Sequence, residues 1–98
     1  MHTLNPMKLS YDPAKSARNV EERGLSFERA AEFDFQSAKY WEDDRVDYSE
    51  TRYLALGYLD DRLHVLVFQE TKEGIRVISF RKANEREGKK HGLPQKRD

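Results

Sequence analysis

The sequence predicts a single α+β domain, and three observations support this fold class. The chain has 98 residues, which is the usual length of one small domain. Its first third carries apolar residues at helical spacing between capping residues. From residue 52 onwards the spacing changes to alternation, with turn-forming residues between the alternating segments. We therefore expect helices first and an antiparallel meander after them.

The chain is predicted to begin with an extension, a short strand and a helix. Residues 1–6 have no apolar period, and an alternating segment starts at Met7. Asp12 is a good N-cap, and the proline after it fits the first helical position. A first helix is expected over 13–23, because Gly24 supplies a left-handed stop.

A second helix is predicted directly after the first. Ser26 is its N-cap, and an apolar stripe continues to about Phe35. Residues 36–50 are polar and aromatic without a clear period, and they are interpreted as a loop.

Three strands and a final helix complete the prediction. The strands are expected over 52–59, 63–70 and 75–81, because these segments alternate and are separated by hairpin-turn residues. A short charged helix follows over 83–90. The predicted order is β-α-α-β-β-β-α, in one domain over 7–92 with a basic C-terminal tail over 93–98.

Turns of even length align Leu59 with Arg62 and Glu70 with Ile75, and this register sorts the meander into two faces. The nearly apolar face is expected to pack against the first two helices: Leu54, Leu56, Tyr58, Leu63, Val65, Val67, Ile78 and Phe80. The other face mixes apolar and polar residues: Tyr53, Ala55, Gly57, His64, Leu66, Phe68, Val77, Ser79 and Arg81.

Composition excludes several classes of site. The chain has no cysteine, so it contains no disulfide and no thiolate nucleophile or zinc ligand. Its three scattered histidines give no metal-ligand spacing, and nucleotide-binding motifs are absent, so we expect neither metal nor cofactor. No segment is long enough to span a bilayer, and no signal peptide is recognised, so a cytoplasmic protein without membrane contact is expected.

Charge is balanced overall but not along the chain. Eighteen basic and eighteen acidic side chains cancel. Residues 1–50 hold seven basic and eleven acidic side chains, and residues 51–98 hold the reverse. The basic C-terminal part is interpreted either as a solvated surface or as the binding site of an anionic ligand.

Polar residues on the strands are the candidates for chemistry. The expected register places His64 opposite Arg81 and Gly57, where it is either an idle strand histidine or a general base. Arg76 and Lys82 are expected on the face opposite to Arg81. These cations are either paired with surface acids or bind phosphate.

Further candidates flank the second predicted strand. Glu50 and Arg52 form either a structural pair or a site in which Glu50 is the base, since RNA cleavage through the 2′-hydroxyl needs a base, an acid and a cation. Trp41 and Tyr53 either cover the core or stack on bases.

The order and spacing of several motifs resemble the BrnT family, toxins of bacterial type II toxin-antitoxin modules. The resemblance covers about Met7 to His91. It rests on these segments: Tyr11-Asp12-Pro13-Ala14-Lys15, Asn19, Gly24-Leu25-Ser26-Phe27-Glu28, Ala30-Ala31, Phe33-Asp34, Glu50-Thr51-Arg52-Tyr53, Gly57, Ile75-Arg76-Val77-Ile78-Ser79-Phe80-Arg81-Lys82-Ala83 and Glu87.

The resemblance implies a RelE-like fold and a metal-independent endoribonuclease that cleaves RNA and inhibits translation. It also implies a BrnA-like antitoxin partner with a ribbon-helix-helix part, and operator DNA binding only through the complex. A homodimer and a hetero-oligomer with the antitoxin both remain open. The alternative is a weak or inactive toxin-like module that binds the antitoxin and modulates operator binding.

Carried over by position, the family's shared polar residues are Glu50, Arg52, Arg76, Ser79 and Arg81. Four of these five, together with His64, form the expected catalytic set: Arg81, Arg76, Arg52, Glu50 and His64. The expected substrate-binding residues are Ser79, Lys82, Tyr53 and His91. The chain departs from many relatives at Arg23, Thr71 and His91, where relatives have histidine, arginine and tyrosine; His91 either replaces the tyrosine as proton donor or marks an attenuated toxin.

Overall fold

The computed structural model describes residues 8–44 and 50–97, and it shows an α+β domain with one mixed sheet. In chain order the elements are β1 (Lys8–Ser10), α1 (Pro13–Arg23), a 3₁₀ helix (Phe27–Glu32), β2 (Lys39–Glu42), β3 (Tyr53–Leu59), β4 (Arg62–Glu70), β5 (Gly74–Lys82) and α2 (Glu85–His91). The sheet order is β1-β5-β4-β3-β2. Among the strands of the described residues, only β1 and β5 pair in parallel. The α+β class is confirmed; the extension expected over 1–6 lies outside the described residues.

Helix α1 begins and ends where its capping residues require. The Asp12 side chain accepts a hydrogen bond from the Ala14 N–H at 2.9 Å, and Pro13 occupies the first turn. Gly24 has φ +68°, and its N–H donates to the Val20 carbonyl. Asn19 projects from α1 and donates to the Phe80 carbonyl at 2.9 Å, which fastens the helix to β5.

The second helix is shorter and tighter than the sequence predicts. Ser26 caps it as expected, but it is a 3₁₀ helix that ends at Glu32, and the Phe33 N–H donates to Ala30, three residues back. The Asp34 N–H donates to the Tyr58 carbonyl at 2.8 Å. This bond draws the chain toward β3, so the helix cannot continue to Phe35.

The prediction of a loop over 36–50 is wrong for β2. Its four residues pair antiparallel with β3 and form an exposed edge of the sheet. All four are exposed, so no buried alternation reveals the strand in the sequence. Within the same segment, residues 45–49 lie outside the described residues.

The hairpins have the expected turns. Leu59 aligns with Arg62 and Glu70 with Ile75, which confirms both alignments. Asp60 and Asp61 have φ +50° and +59°, as a two-residue type I′ turn requires, and short polar side chains tolerate this conformation.

A β-bulge interrupts the pairing of β4 with β5. Phe68 pairs with Val77, yet Val67 pairs with Ser79, so Ile78 is an extra residue. An extra residue reverses the faces of everything after it. The expected pairing of His64 with Arg81 is therefore wrong, because His64 pairs with Lys82 and Arg81 with Val65.

The assignment of the sheet faces is also wrong. Helix α1 and the 3₁₀ helix cover the face that was expected to mix apolar and polar residues. Its core consists of Leu25, Phe27, Ala30, Phe33, Ala55, Leu59, Leu66, Phe68, Ile75, Val77 and Phe80. The opposite face forms a second core with Ala83 and Leu93: Leu56, Tyr58, Leu63, Val65 and Val67. We call the first the N-helix face and the second the α2 face. Both are apolar, so alternation alone does not assign them to their helices.

The C-terminal segment closes the domain. Asn84 and Glu87 form a capping box that starts α2, and Gly92 with φ +69° ends it. Residues 93–97, expected as a basic tail, lie against β4, where the Leu63 N–H donates to the Gln95 carbonyl at 2.8 Å. Arg97 binds Asp34 at 2.8 Å.

Within residues 8–44 and 50–97, no helix combines the length and apolarity that a membrane span needs.

Candidate functional site

Three of the expected site residues share the α2 face of β5. In the pairing of β5 with β4, Arg76 lies opposite Gln69, Ser79 opposite Val67 and Arg81 opposite Val65. Val65 and Val67 belong to the core of the α2 face, so the residues of β5 that pair with them lie on that face too. The expectation that Arg76 lies opposite to Arg81 is wrong, since the bulge brings both arginines to one face.

Arg81 is held by a carboxylate from α2. Its Nη1 and Nη2 donate to the two Glu87 carboxylate oxygens at 2.8 and 2.6 Å. This bidentate bond lowers the pKa of Glu87 below its usual value. Each side chain keeps about 30% of its surface exposed, at 32% and 29%, so the pair lies at the surface of the α2 face and is open to solvent.

A histidine and a tryptophan lie beside this pair. The rings of Trp41 and His91 stack with centroids 4.6 Å apart. The Lys39 ammonium donates to the His91 carbonyl at 2.6 Å and joins the end of α2 to β2. A groove of about 210 Å³ lies between α2 and the sheet, and it is lined by Trp41, Leu54, Ala55, Leu56, Val65, Glu87, Lys90 and His91. Arg81, Glu87 and His91 therefore form one candidate group.

Two further expected site residues, Glu50 and Arg52, precede β3. Arg52 precedes Tyr53, and its carbonyl accepts a hydrogen bond from the buried Asp43 at 2.8 Å. Side chains alternate along a strand, so Arg52 lies on the same face as Leu54, which is the α2 face. Glu50 is exposed at the start of this segment.

Tyr53 lies on the other face from Arg81. Its ring is 5.7 Å from that of Phe68, in the core beneath the N-terminal helices. Desolvation, followed by the nearby Glu70 and Glu42 carboxylates, raises the pKa of its hydroxyl. The structure therefore separates Tyr53 from the arginines with which the sequence associates it.

His64 and Lys82 also lie on the N-helix face. His64 is 3% exposed, and its ring lies 5.4 Å from that of Phe80. Nδ1 lies 2.7 Å from the Arg62 carbonyl, so Nδ1 carries the proton and donates, and Nε2 of the neutral ring is an acceptor. Burial lowers the pKa of His64, and the Arg62 and Lys82 cations add to this effect. The expected convergence of His64 with Arg81 is therefore wrong.

A second concave site surrounds His64. We call it the basic cleft; its volume is about 700 Å³, and it is lined by Arg23, Gly24, Leu25, Arg29, Leu59, Asp60, Arg62, His64, Lys82 and Lys96. Sequence reasoning found His64 and Lys82 but missed the other four cations. Arg62 stands two residues before His64 on one strand, and this spacing is the signal that would have placed both on one face.

A metal site is not evident in the described chain. Residues 8–44 and 50–97 contain no group of three or more His, Cys, Asp or Glu side chains arranged to hold a metal ion.

Comparison with known proteins gives one match. Residues 11–87 match a family model described as "Ribonuclease toxin, BrnT, of type II toxin-antitoxin system". The matched range begins at Tyr11 and ends at Glu87, the carboxylate that holds Arg81. Searches of curated proteins and of solved structures returned no match.

Proposed function

Since the family match covers most of its length, the chain belongs to the BrnT family of ribonuclease toxins of type II toxin-antitoxin systems, and we propose that it is a metal-independent endoribonuclease whose reaction takes place on the α2 face. The observation that carries this proposal is the register that places Arg76, Ser79 and Arg81 on the α2 face of β5, where Arg81 meets Glu87 of α2 at the surface. The fold we propose is RelE-like, and the biological effect is inhibition of translation.

The proposed reaction is transfer of a phosphoryl group within the RNA. The 2′-oxygen of one ribose attacks the adjacent phosphorus, the bond to the next nucleotide's 5′-oxygen breaks, and a 2′,3′-cyclic phosphate and a 5′-hydroxyl result. Arg81 and Arg76 bind the phosphate oxygens and stabilise the extra negative charge of the transition state, and Arg52 supports them. Ser79 donates a hydrogen bond to the same phosphate.

Two proton transfers complete the reaction. A base takes the 2′-hydroxyl proton and an acid protonates the departing 5′-oxygen. Glu50 is the proposed base and His91 the proposed acid, because both are solvent-accessible and His91 shares the groove with Glu87, the partner of Arg81. Stacking on Trp41 fixes the plane of the imidazole. His64 has no role in this step, since it lies beneath the other face.

A type II system includes an antitoxin protein, and the family assignment therefore implies one as the partner. We propose that this antitoxin is BrnA-like, that it neutralises the toxin, and that operator DNA is bound only through the complex. We place the complex in the cytoplasm, where the RNA substrate is.

The direct test is RNA cleavage in EDTA by the purified chain. Wild-type protein is expected to cut single-stranded RNA, leaving cyclic phosphate ends. Arg81→Ala is expected to lower the rate by on the order of 10²-fold, because a donor aimed at the developing charge is removed. Gel analysis of end-labelled RNA measures both quantities.

Arg86→Ala is the matched control for Arg81→Ala, since Arg86 is an exposed arginine of α2. Arg81→Lys keeps the charge but loses the bidentate geometry, and circular dichroism reports whether each variant is folded. Wild-type cleavage by folded Arg81→Ala, or a requirement for added metal, would contradict the proposal.

A second candidate function follows from the Arg81–Glu87 pair. A guanidinium whose two terminal nitrogens already meet a carboxylate at 2.8 and 2.6 Å is partly neutralised before any phosphate arrives. This favours a toxin-like module that binds its antitoxin without cleaving RNA. Glu87→Gln separates the two functions: the active enzyme is expected to bind phosphate more readily in this variant, whereas a binding module stays inert with RNA in both forms.

A further inference from the structure

We propose that the basic cleft on the N-helix face binds the ribose-phosphate backbone of single-stranded RNA, away from the bond that is cut. This inference rests on the proposed function, because it names how the same substrate is held. The cleft and the Arg81 group lie on opposite faces of the sheet. A strand of RNA that reaches both must pass around an edge of the sheet.

Strand pairing concentrates the cations of the cleft in two rows. Arg62 pairs with Lys96 in an antiparallel bridge, and His64 pairs with Lys82. Cross-strand partners project to the same side of a sheet with their Cβ atoms roughly 5 Å apart. The start of β4 therefore presents Arg62, Lys96 and Lys82 around His64, with Arg23 and Arg29 contributed by the helices above.

Four of the five cations that line the cleft form no ion pair within the described chain. Arg29 is bound by Glu32 and Asp60 at 2.7 Å each, whereas Arg23, Arg62, Lys82 and Lys96 form no ion pair with any carboxylate of residues 8–44 and 50–97. Like charges directly opposite each other destabilise a sheet, so the pairing of Arg62 with Lys96 lowers the stability of the folded chain. An anion in the cleft would remove this cost.

Arg62 also has a nitrogen atom without a hydrogen-bond partner. Its Nε is buried without a hydrogen-bond partner, and its Nη2 reaches the Ala83 carbonyl only at 3.4 Å. A buried donor normally has a partner. The cleft therefore combines an unsatisfied guanidinium donor with three cations that form no ion pair within residues 8–44 and 50–97.

The choice of RNA over an acidic peptide depends on His64. Its Nδ1 is engaged with the Arg62 carbonyl, which leaves Nε2 as a hydrogen-bond acceptor at the wall of the cleft. A ribose-phosphate unit offers phosphate oxygens to the cations and a 2′-hydroxyl donor to this nitrogen. A carboxylate side chain offers acceptors alone. The pairing of cations with an acceptor therefore fits RNA better.

The test measures binding of a fluorescein-labelled ten-nucleotide RNA by anisotropy in EDTA, with Arg81→Ala as the cleavage-deficient parent. Arg62→Gln and Lys82→Gln are each expected to raise Kd about fivefold or more and to reduce the salt dependence of binding by roughly one released counterion. Lys72→Gln is the matched control, because it removes a lysine from the β4–β5 turn at the far end of β4. DNA of the same sequence is expected to bind more weakly than RNA.

Lys96→Gln separates a binding role from a structural one. The substitution removes the repulsion between Lys96 and Arg62, so the melting temperature of this variant is expected to equal or exceed that of the parent. Its RNA affinity is expected to fall. Parental RNA affinity in the Arg62, Lys82 and Lys96 variants would overturn the inference, and so would equal affinity for DNA. Parental RNA affinity with weakened antitoxin binding would instead assign the cleft to the partner. Binding is measured without cleavage, so a wild-type chain that binds RNA through the cleft but never cuts it would refute the proposed reaction and leave this inference standing.

Discussion

At the scale of single residues, the two histidines of the described chain occupy different environments. His91 is stacked on Trp41 at the surface, beside the Arg81–Glu87 pair. His64 is buried with its Nδ1 proton fixed by the Arg62 carbonyl. The first arrangement suits proton exchange with a substrate, and the second suits a neutral hydrogen-bonding group.

The pH dependence of stability tests the state of His64. Its folded-state pKa is lowered, chiefly by burial and further by Arg62 and Lys82, with Asp60 opposing them. The unfolded chain, with a pKa of about 6.5, then binds a proton before the folded chain does. The free energy of unfolding is expected to fall as pH is lowered from about 7 toward 5.

Urea unfolding of wild type and His64→Gln at several pH values measures this effect. The variant is expected to lose less stability over the same interval, because the titrating ring is gone. The carboxylate of Asp34 titrates far below this range, with a pKa of about 2, so it does not contribute there. Parallel pH profiles for the two proteins would show that His64 is not held neutral by the fold.

At the scale of elements, the contact of β3 with the segment before β2 depends on the absence of a side chain. A Cβ on Gly57 would lie 2.8 Å from the Cβ of Ala38 and 2.8 Å from the Cζ of Phe33. Gly57 also pairs with His64, so this packing fixes the strand that forms one wall of the cleft. This close approach seats the residue that follows the 3₁₀ helix and the residue that precedes β2 against β3.

Gly57→Ala is therefore expected to lower the free energy of unfolding by about 1–3 kcal/mol, as overpacked cores do. Thermal melting measures the change. Ala38→Gly introduced into the same variant is expected to recover part of the loss, since it removes one of the two clashing atoms. An undiminished melting temperature in Gly57→Ala would contradict the packing described.

The helices and hairpins can be predicted from the sequence, but the bulge in β5 cannot. Capping residues such as Asp12 and Gly24, and the turn at Asp60 and Asp61, act locally, so the helices and hairpins are predictable from them. The bulge at Ile78 has no local signature, and it reverses every residue that follows in β5. For this reason the sequence identifies Arg81 and His64 as notable side chains but misplaces them relative to each other.

Two further elements escape prediction for physical reasons. Strand β2 is exposed at the sheet edge, so no burial pattern marks it. The cleft is assembled from residues far apart in sequence, Arg23, Arg62 and Lys96 among them, and only the folded chain brings them together.

At the scale of the whole molecule, one sheet separates two polar sites. The α2 face carries Arg76, Ser79 and Arg81 on β5 and also the groove of His91, and the N-helix face carries the basic cleft. The charge asymmetry of the sequence becomes a spatial arrangement, because the basic C-terminal half supplies β4, β5, α2 and the final segment. We infer a division of work in which one face reacts with RNA and the other retains it.

Single-turnover cleavage measured over a range of protein concentrations, with RNA kept at trace level, tests this division most directly. For Arg81→Lys the account predicts a lower rate at saturation with a nearly unchanged half-saturating concentration, since the reaction is impaired and the cleft is intact. For Arg62→Gln it predicts a wild-type rate at saturation with a half-saturating concentration raised about fivefold or more. A saturated rate that collapses in Arg62→Gln and stays at the wild-type value in Arg81→Lys would contradict the account, because it would place the chemistry in the basic cleft.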